Sequence, residues 1–339
     1  MKFLHNYNLK NYNTFGLNVK TDHFIDVSSV DELRKVLLKN EFRKDKKFIL
    51  GGGSNVLFVK DYDGLVIKNS IPGIDIISEN DSSAIVEAGA GVIWDELVQF
   101  CVDRNLGGIE NLSLIPGSTG AAPIQNIGAY GQELKDTFVE LKGIFTDSGE
   151  EKIFKNLNCK FSYRNSIFKG ELKNKFIITS IKLELNKNPK LNTSYKQLGD
   201  QLLNQGISNP TINDIRQTVI NIRNQKLPDP KEIGNAGSFF KNPIVAKEKY
   251  LNLKKSFPEM INYPIDENYI KIAAGWLIEN CGWKGRRNGN VGTYKKHALV
   301  IVNYGNATGD EILDFEMHIK QAVEFKFGIR LENEVNIIN

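Results

Sequence analysis

Two glycine-rich segments carry the clearest chemical signal in this chain. Gly51-Gly52-Gly53-Ser54-Asn55 follows the apolar run Lys47-Phe48-Ile49-Leu50. Small residues at the end of a strand let successive backbone N–H groups turn to one side and form a nest for an anion. Two familiar phosphate-binding devices do not fit. A P-loop ends in Gly-Lys-Ser or Gly-Lys-Thr, which is missing here. A Rossmann fingerprint needs a third glycine and then a helix, but Val56-Leu57-Phe58-Val59 reads as a strand. A tight turn is the plainer reading of these five residues.

The second segment, ENLSLIPGSTGAAPIQNIGAYG, spans residues 110–131. Between Glu110 and Glu133 no residue is charged, although 25% of the chain is. Gly117, Gly120, Ala121, Ala122, Gly128, Ala129 and Gly131 let backbone approach a ligand and present N–H groups to phosphate. Pro116, Pro123 and the polar positions argue against a membrane span. A buried, loop-rich core segment is the alternative. Together the two segments point to a dinucleotide cofactor held without a Rossmann fold. Metal chemistry has no support: His5, His23, His297 and His318 form no HExxH motif, and Cys101, Cys159 and Cys281 no CxxC pair. Three widely spaced cysteines suit reduced thiols of the cytoplasm.

The elements that must position such a site are of mixed type. At 339 residues the length favours two domains, and 41% hydrophobic residues suit a globular protein. A formal charge of +4 is compatible with a small anion and too slight for nucleic acid. No apolar run approaches the roughly 18 residues of a spanning helix. His5 and Asn6 interrupt the N-terminal apolar stretch before a signal-peptide core can form, so a cytoplasmic protein is expected. Ser29 with Glu32 predicts a capping box opening a helix to Asn40. Residues 47–50, 65–69, 84–91 and 176–185 read as strands. Residues 92–105 place Trp94, Leu97, Val98, Cys101 and Val102 on one helical face. From Thr211 a helix turns Ile212, Ile215, Val219 and Ile222 inward and stops before Pro228-Asp229-Pro230, the predicted domain boundary.

Beyond that boundary, a helix over 272–281 with Gly282 as its cap precedes a strand at 298–303. Thr308 with Glu311 opens a long helix whose inner face is Ile312, Phe315, Ile319, Ala322 and Val323, closed by Gly328. A final strand sets Leu331, Val335 and Ile337 against Glu332, Glu334 and Asn336. The class is α+β with two lobes.

GGGSN, the 110–131 segment, Tyr163-Arg164-Asn165-Ser166-Ile167-Phe168-Lys169 and NAGSFFKNP (235–243) occur in that order. This series resembles the UDP-N-acetylenolpyruvoylglucosamine reductase family, from NTFGL (13–17) to ENEV (332–335), in its longer type with a mobile tyrosine loop. The resemblance implies an FAD-binding lobe of the vanillyl-alcohol-oxidase (PCMH) type over 1–225, with its core at about 15–187, and a smaller α+β substrate lobe over 226–339. It further implies reduction of an enolpyruvyl ether by NADPH through non-covalent FAD, in peptidoglycan synthesis. The partners would be a UDP-sugar and NADPH, with no nucleic acid or membrane, on a monomer.

The residues follow from the same resemblance. Catalysis would fall to Arg164, Ser238 and Glu334. FAD contacts would come from Gly51, Gly52, Gly53, Ser54, Asn55, Pro116, Gly117, Ser118, Gly120, Ala121, Gln125, Asn126, Gly128, Ala129 and Tyr130. Tyr195, Lys226, Asn242, Tyr263 and Lys284 would bind the substrate, Lys226 at the diphosphate or at NADPH, while the role of His297 stays open. The stretch 243–270 and the loop after Trp283 depart most from the family pattern.

Two rival functions are distinguishable on residues. An FAD-dependent oxidase of a hydroxy acid or sugar lactone often tethers its flavin through a histidine, but 51–58 and 110–131 contain none. Alcohol oxidation also needs a base, for which Arg164, Ser238 and Glu334 have no obvious use. A non-catalytic nucleotide-binding module would keep the glycines and could lose any of the three, and all three are present.

Overall fold

The computed structural model describes residues 2–43 and 45–339. The chain divides into two compact units: Met1–Tyr7, Thr21–Gly53 and Asp63–Gln225 form one, and Asn8–Lys20, Ser54–Tyr62 and Lys226–Asn339 the other. Two stretches that a linear division at 225/226 would give to the first lobe, residues 8–20 and 54–62, therefore pack with the second unit.

The first unit is organised by an antiparallel five-stranded sheet in the order Glu151–Lys155, Phe138–Phe145, Phe176–Asn186, Ser83–Gly89, Ile74–Glu79. The central strand sets Ile181 between Leu141 and Ala88. Ile181, Leu183 and Leu185 alternate into the core, as period-two patterning requires. The helix Trp94–Val102 packs all five of its expected apolar residues into the same cluster, and the Trp94 indole N–H is satisfied by the Leu112 carbonyl at 2.9 Å. Lys47–Leu50 pairs in parallel with Tyr62–Asn69 and delivers the chain into the Gly51 turn.

Helix Val30–Leu37 is capped by Ser29, whose hydroxyl accepts from the Glu32 N–H at 3.2 Å. The Glu32 carboxylate reaches back to Ser28 at 2.9 Å, one residue earlier than a capping box centred on Ser29 requires. Helix Ile212–Lys226 buries Ile215, Val219 and Ile222 with Leu198 and Leu202 of a helix the sequence did not suggest, Lys196–Asn204. It also buries Arg216 and Thr218, which its apolar stripe gave no reason to expect.

The second unit carries an antiparallel sheet in the order Gly234–Ser238, His297–Asn303, Val291–Tyr294, Arg287–Asn288. A smaller one orders Ile244–Ala246, Tyr269–Ile272, Asn262–Pro264. The helix Gly309–Phe327 has both bonds of its capping box at Thr308 and Glu311, and Gly328 closes it at φ +62°. The predicted strand at 331–337 is corrected: only Asn336–Ile338 is a strand, pairing in parallel with Val56–Phe58. Leu331 and Val335 are buried as the alternation implied. The backbone between them bonds to Phe239 and Lys241 instead, the Lys241 N–H meeting the Glu332 carbonyl at 2.9 Å. Alternation recorded burial correctly and could not tell a ladder from an irregular stretch docked on one.

Candidate active site

In the first unit the two glycine segments lie back to back. A Cβ on Gly51 would strike the Ser118 Oγ, and one on Gly52 would sit 2.8 Å from the Gly117 Cα. Glycine is required here for close backbone approach. Gly53 at φ +65° and Gly117 at φ +126° then make turns that other residues adopt only under strain. The Thr119 and Gly120 N–H groups bond to the carbonyls of Val92 and Ala90 at 2.8 and 2.9 Å, which seats the short 3-10 helix Thr119–Gln125 against the residues that follow the strand Ser83–Gly89. The segment 110–131 is thus a run of tight turns, with Ser118, Thr119, Ala122 and Asn126 buried.

Asn126 is fully committed within the fold. Its carboxamide donates to the Glu133 carboxylate at 2.9 Å and accepts from the Lys135 N–H at 3.0 Å, at φ +45°. Gln125 faces Lys169, whose ammonium lies 3.5 Å from its Oε1. Tyr130, at φ +49°, packs edge-on against Tyr195 with ring centroids 5.3 Å apart. Tyr195 therefore belongs with the first unit, at the start of helix Lys196–Asn204.

Arg164 joins this segment. Ser162 and Asn165 exchange both backbone hydrogen bonds at 3.1 Å, so Tyr163 and Arg164 form the tip of a tight turn with Arg164 at φ +52°. One guanidinium N–H donates to the Gly128 carbonyl at 2.8 Å, which leaves a partly buried fork beside the uncharged segment. A non-glycine residue in the left-handed region stores strain, and such strain gathers where geometry matters to chemistry.

The second unit brings Ser238 and Glu334 together. The strand Gly234–Ser238 is irregular between Asn235 and Ser238, with Gly237 at φ +69° and its N–H held by the Asn235 side chain at 3.0 Å. That irregularity re-aims Ser238 at the end of the strand. Phe239 and Phe240 follow as fully buried anchors. The Glu334 N–H bonds to the Phe239 carbonyl at 2.8 Å, which ties the glutamate backbone to the residue after the serine. Asn55 fixes it from the other side: its carboxamide donates to the Glu334 carbonyl at 3.3 Å, and its own carbonyl accepts from the Asn336 N–H at 3.1 Å.

The expected substrate residues of this unit separate by role. Burial pushes the Lys226 ammonium below the usual lysine range, and the charge of Lys284 pushes it further. Lys284 is also paired with Glu279 at 2.8 Å. The Asn242 Oδ1 accepts from the Ala274 N–H at 2.9 Å and so caps helix Ala274–Asn280. Tyr263 lies on the strand Asn262–Pro264, its ring centroid 5.6 Å from the Lys271 ammonium. The Nδ1 of His297 accepts from the Leu299 N–H at 3.2 Å. Asp95 and Arg223, which bond to segment 110–131, and Asn111 within it were not expected from the sequence; for the first two a charge on an otherwise amphipathic helix was the only signal. Among the described residues no group of three or more metal-ligating side chains occurs, and no helix is long and apolar enough to cross a membrane.

Residues 21–153 match the family described as FAD binding domain, and residues 229–338 match UDP-N-acetylenolpyruvoylglucosamine reductase, C-terminal domain. The chain is 51% identical over 339 residues to the UDP-N-acetylenolpyruvoylglucosamine reductase of Flavobacterium johnsoniae, covering 100% of both. It is 43% identical to that of Pseudomonas syringae pv. syringae, covering 97% of each. The crystal structure of the Thermus caldophilus reductase shares the fold, with a TM-score of 0.69 at 22% identity over 100% of this chain and 98% of that one. With identity of this level running from end to end, the chain belongs to the UDP-N-acetylenolpyruvoylglucosamine reductase family of FAD-dependent oxidoreductases.

Proposed function

We propose that the protein reduces the enolpyruvyl ether of UDP-N-acetylenolpyruvoylglucosamine to the lactyl ether of UDP-N-acetylmuramate. NADPH is the reductant, and the reaction is a cytoplasmic step of peptidoglycan synthesis on which cell shape and division depend. The protein acts as a monomer, with an FAD-binding lobe over residues 1–225 and a substrate-binding lobe over 226–339. The observation that carries the reading is the Glu334 N–H on the carbonyl of Phe239, which ties the backbone of the acid to the residue after Ser238.

The two glycine-rich segments fit FAD by the chemistry of their donors. A diphosphate is best held by backbone N–H groups and small side chains free of competing carboxylates; Gly51 to Asn55 and Pro116 to Ser118 have that composition, whereas the N–H groups of Thr119, Gly120 and Ala121 are taken by the carbonyls of Val92, Ala90 and Ser118. Gln125, Gly128, Ala129 and Tyr130 extend that lining, and Asn126 braces it. When bound, FAD carries hydride from NADPH to C3 of the enolpyruvyl group.

Hydride arriving at C3 builds negative charge at C2, which spreads into the adjacent carboxylate. The Arg164 guanidinium, permanently charged and forked, pairs with that carboxylate and stabilises the charge. Glu334 hydrogen-bonds the enolate acid and polarises it. Ser238 donates the proton to C2. A hydroxyl of high pKa donates only to a strongly basic carbon, so the serine stays inert until the charge is there. Lys226 and Lys284 crowd each other, and a diphosphate between the charges relieves both. Tyr195, Tyr263 and Asn242 complete the substrate contacts.

The test is a visible spectrum of purified protein followed anaerobically. Flavin bands that bleach with NADPH and return with the enolpyruvyl substrate support both half-reactions. Bands that return only with oxygen favour an oxidase, and a protein that takes up no FAD overturns the reading.

A further inference from the structure

Among the described residues, nine other than glycine adopt positive φ, and five of these are asparagine, the side chain that tolerates it best. Of the remaining four, Leu114 and Tyr130 stand near the two ends of segment 110–131, and Arg164 leans on its Gly128. Neither a leucine nor a tyrosine settles in this region unaided; each needs neighbours that over-determine it.

For Leu114 the neighbours are charged. Its N–H donates to the Asp95 carboxylate at 2.6 Å, and its carbonyl accepts from the Nε–H of Arg223 at 3.2 Å. Asp95 is itself fixed by a bidentate pair with the buried Arg216, at 2.7 and 3.0 Å, and Arg216 is held by Gln99 at 2.9 Å. Arg223 comes from the same helix as Arg216. The Tyr130 carbonyl accepts from Asn111 at 2.9 Å. Asp95 and Arg223 thus hold the two backbone groups of one strained residue, and Arg223 does so with the fork that a lysine lacks.

We propose that Arg223 is a positioning residue: by gripping the Leu114 carbonyl while Asp95 grips the Leu114 N–H, it holds segment 110–131 in the shape that receives FAD. This rests on the reading that the segment binds FAD. Asp95 and Arg216 supply the other half of the clamp. Its energy is spent on backbone conformation, so its loss shows first in cofactor affinity and only then in turnover.

FAD dissociation constants for wild type, Arg223→Met, Arg223→Lys, Asp95→Asn and the Arg223→Met/Asp95→Asn double variant are measured by flavin fluorescence, with far-UV circular dichroism on each. Arg223→Met is expected to weaken FAD at least about tenfold, and Arg223→Lys by a smaller factor, since charge returns without the fork. Asp95→Asn weakens it as well, and the double variant by less than the two single effects combined, because both side chains hold the one residue Leu114. An affinity within twofold of wild type in Arg223→Met, or effects of the two changes that simply add, overturns the proposal. Should Arg223→Met fail to fold, Arg223→Lys decides: an FAD affinity within twofold of wild type there overturns the clamp. A wild type that binds no FAD defeats the cofactor reading itself, whereas one that binds FAD as its variants do defeats only the clamp.

Discussion

Segment 110–131 and the Ser238–Glu334 pair solve the problem of holding a site in opposite ways. The first is backbone chemistry: no charge of its own between Glu110 and Glu133, positive-φ turns near both ends, and a frame of buried side chains that hold main-chain groups. The second is side-chain chemistry on an economical support, in which one strand irregularity, two buried phenylalanines and a few backbone bonds hold the backbone of two half-exposed polar residues. A large, neutral-lined cofactor site needs many groups in fixed places. Two reacting side chains need only be aimed. Lesions in the first region therefore act on FAD retention and stability, and lesions in the second act on turnover with FAD still in place.

The largest expected effect tests the second half of that contrast. Ser238→Ala lowers turnover by roughly 10²–10⁴, the usual range for a lost proton donor, while FAD content and thermal stability match wild type. Loss of bound FAD in this variant would break the separation. Next comes Asp95→Asn, which leaves the buried Arg216 guanidinium short of its partner and costs about 3 kcal/mol in a denaturant titration. Burial raises the Asp95 carboxyl, but the Arg216 pair, the Leu114 N–H and the charge of Arg223 together hold it below its usual value. Such a depressed group contributes stability above its unfolded value and loses it as the pH falls through the folded one. The gap between wild type and Asp95→Asn is therefore full near neutrality and closes as the pH drops below about 4.

Gly52→Ala ranks third. The added methyl meets the Gly117 Cα, backbone that cannot swing aside, and costs about 1–3 kcal/mol with partial loss of FAD on gel filtration. Turnover per bound flavin stays at the wild-type level; a drop there would mean that the glycine acts on chemistry. The smallest effect is Lys226→Met, which raises KM for the UDP-sugar by about tenfold, equivalent to about 1.4 kcal/mol, with kcat little changed. A KM equal to wild type would remove Lys226 from the substrate contacts.

The same contrast explains what was legible in the sequence. Helix Trp94–Val102, the Thr308 cap and the Gly328 stop are local: their residues lie within a few turns of one another, and periodicity reports them directly. The uncharged stretch and the glycine pair were also legible as composition. The clamp was not, since Arg216 and Asp95 meet across 121 residues and each looks like an ordinary polar position on its own helix. The final strand failed for a related reason: alternation at Leu331 and Val335 records burial, but which carbonyls the backbone meets is decided by Phe239 and Lys241, far along the chain. Asn242 and Asn126 show the remaining difficulty, because a carboxamide that caps a helix or pins a turn reads the same in sequence as one that meets a ligand.

The most direct test of the division of labour is a two-stage anaerobic experiment on Ser238→Ala loaded with FAD. NADPH is added first and the loss of flavin absorbance timed; UDP-N-acetylenolpyruvoylglucosamine is added second and its return timed. The account predicts bleaching at the wild-type rate and a return slowed by roughly 10² or more. A return as fast as wild type would remove Ser238 from the proton transfer, and a loss of bleaching would show that the serine serves the cofactor site after all.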